Sequence, residues 1–77
     1  MDKEQIVATL KQKNDELLNK YKSEGNFKQT DIHINIRKML NFPNAFYVMP
    51  PEVAMSILKD LGYSFNDARK TYAELIK

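Results

Sequence analysis

Residues 31–40 read "DIHINIRKML", and whether they form a helix or a strand decides the fold. Strict alternation sets Ile32, Ile34 and Ile36 against His33 and Asn35, the pattern of a strand rich in β-branched residues. The same letters place Ile32, Ile36, Met39 and Leu40 on one stripe of a helix, with no glycine or proline to interrupt them. A strand needs a partner, and the candidate "AFYVM" at 45–49 follows a connection carrying Pro43. The spacing therefore predicts a helix over about residues 30–40, capped by Thr30 or Asn26. The alternative is an α+β fold in which 31–37 pairs near 46–49.

Upstream, Ile6, Val7, Leu10, Leu17, Leu18 and Tyr21 recur at spacings of three and four, one apolar stripe of a helix over residues 3–23. Asp2 caps its start, Gln5 completes a capping box, and Gly25 in "KSEGN" closes its end. The stripe has a gap at Asn14, which is expected to face solvent. Val7, Asn14 and Tyr21 with Leu10 and Leu17 also spell two heptads of a coiled-coil seam, in which a buried Asn fixes register between paired helices.

Downstream, Pro51 suits the first turn of a helix lined by Val53, Ala54, Ile57, Leu58 and Leu61, with Gly62 after its last turn. Ser64 caps a final helix whose apolar face is Phe65, Ala68, Tyr72, Leu75 and Ile76, with Asp67 at the positive end of its dipole. Between lies "NFPNAFYVMPP" at 41–51, a proline-rich linker holding Phe42, Phe46, Tyr47, Val48 and Met49. Those side chains are expected to plug the core, since a chain of this size needs every large apolar group it has. The alternative is an exposed patch for a partner. The expected fold is one all-α domain over 1–77, a small orthogonal bundle of four helices. Its predicted core is Ile6, Leu10, Leu17, Ile36, Leu40, Val53, Ile57, Leu61, Phe65, Ala68, Tyr72 and Leu75.

Seventy-seven residues without cysteine leave no disulfide, zinc-thiolate or thiol chemistry and fit the cytoplasm. No apolar run approaches the roughly 20 residues that span a bilayer, so no membrane partner is expected. Twelve Lys and Arg against ten Asp and Glu give a formal charge of +2, too mild to dictate a partner. Residues 1–49 hold eight basic and six acidic side chains, and 50–77 hold four of each.

The residues that usually carry catalysis are scarce. His33 is the sole histidine, expected on the surface or in a structural hydrogen bond, and Ser23, Ser56 and Ser64 are the only serines. No ligand spacing suggests a metal, and Gly25 and Gly62 alone cannot build a phosphate cradle. Acidic residues such as Glu16 sit among lysines as solvated helix charges, Glu16 pairing with Lys20. Neither an enzyme, a cofactor nor a small-molecule substrate is expected.

Binding is the remaining class. Ile57, Leu61, Gly62, Tyr63 and Ser64 within "ILKDLGYSFNDARKTY" at 57–72 resemble the helix-turn-helix of bacterial DNA-binding regulators. The resemblance implies a three-helix unit from 30–40, 51–61 and 65–76. Phe65, Asn66, Arg69 and Lys70 would then lie on or near the recognition helix, with Arg37 and Lys38 as further candidates for phosphate contact. Leu61, Gly62, Tyr63 and Ala68 are also similar to ubiquitin-associated helix pairs, which implies a protein partner at Tyr63. The first expectation is a protein-interaction module, dimeric through the first helix or binding through Phe42, Phe46, Tyr47, Met49 and Tyr63. The second is a DNA-binding regulator.

Overall fold

The computed structural model describes residues 2–42 and 44–77; Pro43 lies outside them. The chain is all-α, with helices α1 (Lys3–Ser23), α2 (Phe27–Leu40), α3 (Ala45–Val48), α4 (Pro51–Asp60) and α5 (Phe65–Leu75). Among the described residues there is no strand, so the α+β alternative is overturned. The Asn26 side chain accepts from the Gln29 amide at 3.2 Å and starts α2 a turn earlier than Thr30 would. The partner imagined at 46–49 is itself helical, because "AFYV" closes a single turn between Asn44 and Met49.

Helices α1 and α2 form an antiparallel hairpin across a three-residue connection and share the most extensive interface in the fold. Asp2 Oδ1 accepts from the Gln5 amide at 2.8 Å while the Gln5 side chain accepts from the Asp2 amide at 3.2 Å, the expected capping box. Gly25 turns the chain at φ +69°, a backbone that costs a residue without Cβ little. The face of α1 turned inward is Ile6, Leu10, Asn14 and Leu18, spaced by four. Asn14 is 1% exposed, which corrects its assignment to solvent. It fills its own gap in the stripe because His33, on the facing helix, supplies hydrogen bonds. Leu17 is only half-buried, Leu18 taking the inner position.

On α2 the buried residues are His33, Ile36 and Leu40; Ile36 and Leu40 are where the predicted stripe put them, Ile32 and Met39 are half-buried against the core, and His33 is the addition. Glu16 does not pair with Lys20. Its carboxylate accepts from Gln12 at 3.5 Å, and the Lys20 ammonium sits 5.7 Å from the Tyr21 ring centre.

Pro51 opens α4 and Gly62, at φ +98°, ends it as expected. Ser64 Oγ accepts from the Asp67 amide at 3.2 Å and starts α5. Ala54, Leu58, Leu61, Ala68 and Leu75 join Ile6, Leu10, Ile36, Leu40 and Phe46 in one continuous core. Val53 is exposed and Ile57 half-buried, because the inward stripe of α4 runs through 54, 58 and 61. Tyr72 is half-buried on the core margin. Phe65 is 62% exposed: it occupies the first position of α5, beyond the edge of the core, in a shallow groove with Met55 and Lys59 of α4.

Candidate functional site

The surface that stands out is built by Phe42 and residues 44–49. Leu40 closes α2 pointing into the core, and the chain turns at Asn41 with Phe42 directed outward. A helix of one turn cannot hide all its side chains. Ala45 and Phe46 face in, so Tyr47 and Val48 face out. Phe42 is 68% exposed and Val48 82%, whereas Phe46 is 5% exposed. Phe46 is therefore removed from the candidate partner contacts: it pins the segment to the core and thereby holds its neighbours in solvent. Met49 is half-buried, packed against the core margin.

Tyr47 is tethered at its hydroxyl. Its hydroxyl accepts from Lys3 Nζ at 2.8 Å and donates to the Lys77 carbonyl at 2.6 Å, and the same ammonium lies 4.0 Å from the ring centre. The contacts fix α3 against the start of α1 and the end of α5.

Phe42, Asn44, Ala45, Val48 and Met49 line an open apolar depression. Asn44 also borders a second groove of about 470 Å³, lined by Lys3, Val7, Ala8, Lys11 and Leu40 among others. The two share Asn44 in their linings, and both are open to solvent rather than enclosed as small-molecule sites are.

Tyr63 does not join them. It is half-buried beneath Lys13, whose ammonium lies 4.0 Å from its ring centre, in a groove with Ile6, Thr9 and Lys70. Arg37, Lys38, Asn66, Arg69 and Lys70 are all exposed, and two of them, Arg37 and Lys70, border different grooves. Arg37 shares a groove with Lys11 and Asp15, while Lys70 shares one with Lys13 and Glu74. Lys11 and Lys13, two residues apart on α1, point about 200° from each other. The two basic groups thus lie on different sides of that helix.

His33 is 1% exposed and far from serving as a surface base. Its Nδ1 lies 2.8 Å from Asn14 Oδ1, its ring stacks on Tyr21 at 5.3 Å, and its Nε2 is buried without a partner. Burial holds the imidazole below its ordinary value of 6.5, with the Asp60 carboxylate partly opposing the shift. Among the described residues no three His, Cys, Asp or Glu gather as metal ligands, and no helix is long and apolar enough to cross a membrane.

Three contributors to the surface escaped sequence reasoning: Lys3, Val7 and Lys11, which come from α1, about thirty residues away in the chain. Comparison with protein-family models, curated proteins and solved structures found no match to this chain.

Proposed function

We propose that the chain is a non-enzymatic protein-interaction module of the cytoplasm, a small orthogonal bundle of four long helices that offers residues 42–49 to a protein partner. The observation that carries the reading is the exposure of Phe42 and Val48 on either side of the buried Phe46. A chain with so few large apolar residues gives up about 1.5–3 kcal/mol for each one left in water, and contiguous apolar patches of this kind mark interaction sites. Photocrosslinking tests it: a benzophenone amino acid at position 48, in cells that make the protein, is expected to give a discrete protein adduct that Phe42→Ser abolishes. No adduct, or the same adducts from the exposed position Ala73, ends the reading.

A second reading, contact with duplex DNA through α5, is favoured by the exposure of Asn66, Arg69 and Lys70 along that helix. It ranks lower because the other basic candidates lie on separate surfaces.

A further inference from the structure

The depression at Phe42, Val48 and Met49 and the groove at Val7 and Leu40 both take Asn44 into their linings, so the two lie side by side as a trough of two parts. Its charged rim is Lys3 and Lys11 against Glu4. Arg37 adjoins Lys11 in a neighbouring groove with Asp15 opposing them, so the cations Lys3, Lys11 and Arg37 outnumber the carboxylates Glu4 and Asp15 by one and the surroundings mildly favour negative charge. Lys3 is occupied by Tyr47 at 2.8 Å. Lys11 is exposed and makes no hydrogen bond or ion pair among the described residues.

Two arguments restrict the occupant. With no strand among the described residues there is no sheet edge to which an extended segment could add, and Phe42 is the one aromatic in the depression where a polyproline segment takes an aromatic-lined groove, so a helix laying its apolar face on the surface fits best. Phe42, Tyr47 and Val48 together leave roughly 300 Å² of side chain in solvent, whereas a stable dimer buries about 800 Å² on each side. The patch is the size of one helix face rather than of a second copy of the chain.

We infer that the trough takes an acidic amphipathic helix of a protein partner. Apolar residues on one face of that helix seat on Phe42 and Val48, and a flanking carboxylate answers Lys11. The inference rests on the interaction-module reading and adds the class of partner.

The test uses two stapled helical peptides of about 14 residues, or four turns. They share one leucine pattern and carry either Glu or Lys at the flanks. Each is titrated into the isotope-labelled full chain to about 1 mM and followed by amide NMR. The Glu peptide is expected to shift the amides of Val7, Lys11, Asn41 and Val48 and to bind at least tenfold tighter than the Lys peptide. Lys11→Glu, a surface change, is expected to erase or invert that preference. Equal binding of both peptides at the trough, lost in Phe42→Ser, removes the acidic-helix inference and leaves the module reading standing. Tighter binding there by a proline-rich extended peptide likewise overturns it. Shifts confined to Tyr63 and Lys70, or no binding by any peptide, overturn the inference, and the crosslink at position 48 then decides the module reading separately.

Discussion

Asn14 and His33 join α1 to α2 by two reciprocal hydrogen bonds. The Asn14 amide nitrogen donates to the His33 carbonyl at 2.9 Å, and Asn14 Oδ1 accepts from His33 Nδ1–H at 2.8 Å. A carbonyl only accepts, so the first bond orients the amide and the second fixes the imidazole as the Nδ1–H tautomer. Removing one member strands the other in the core. Asn14→Ala is expected to lower stability by about 2–4 kcal/mol, from the orphaned donor and the cavity together. The double variant Asn14→Leu with His33→Leu should cost clearly less than the two single leucine variants added, with a coupling of about 1–3 kcal/mol in urea denaturation. Simple additivity would mean that the two side chains do not act as a pair.

The same geometry sets a pH dependence. With Nδ1–H committed to Asn14, a second proton must go to Nε2, which is buried without an acceptor. The folded-state value is therefore held below 6.5 by burial, and Asp60 recovers only part of the loss. An unfolded chain binds that proton more readily than the fold. The contribution is fully present above 6.5 and is lost as pH falls from there toward the folded value. Thermal melts of the wild type between pH 7.5 and 5 should show a decline that His33→Gln does not share, and Asp60→Asn should steepen it. Parallel curves for wild type and His33→Gln would contradict the assignment.

Leu58 and Phe65 make opposite predictions for residues of similar apolar character. Leu58 is fully buried, so Leu58→Ala should cost about 2–5 kcal/mol. Phe65→Ala should stay within roughly 0.5 kcal/mol of wild type. Ala68 is also fully buried, and Ala68→Leu should cost about 1–3 kcal/mol by overpacking. Denaturant midpoints for the three variants check the inward face of α4 and α5 directly.

Gly62 and Gly25 separate backbone strain from crowding, because a Cβ at either would meet nothing within 4 Å. At φ +98° Gly62 lies outside the left-handed helical well, and Gly62→Ala should cost about 1–2 kcal/mol through conformation alone. Gly25, at φ +69°, sits closer to that well, which Asn tolerates, so Gly25→Asn should lose less than Gly62→Asn in the same melts.

The helix ends were legible because each is set by chemistry within three or four residues: Asp2 with Gln5, Asn26, Gly25, Pro51, Gly62, Ser64. The inward faces were less so. Asn14 read as polar and therefore external and His33 as either external or hydrogen-bonded, yet each is the other's partner nineteen residues away, a pairing that no local window contains. Val53 and Ile57 fell on a plausible stripe, and only packing against α5 selects Ala54 and Leu58 instead. In the candidate surface, Phe42 and Tyr47 were visible as large apolar residues in a linker. That Phe46 plugs the core as expected while Phe42, Tyr47 and Val48 do not was not legible, and neither was the contribution of α1, because both depend on where α3 docks.

The DNA reading yields a quantitative expectation from the placement of charge. Arg69 and Lys70 are the cations of α5, and Asp67 and Glu74 on the same helix oppose them. Arg37 borders a groove on the other side of α1 from the one that Lys70 borders, so a duplex lying along α5 cannot also gather it. About two neutralised phosphates imply a slope near −1.8 in log affinity against log salt. Such binding is too weak to saturate at physiological salt, and titration of a duplex at about 150 mM salt should show none. At low salt, any residual binding should disappear in the Arg69→Ala, Lys70→Ala double variant. A slope steeper than about −4, or a sequence preference abolished by Asn66→Ala, would require the separate basic groups to act together on one duplex. That result would place DNA recognition ahead of protein docking.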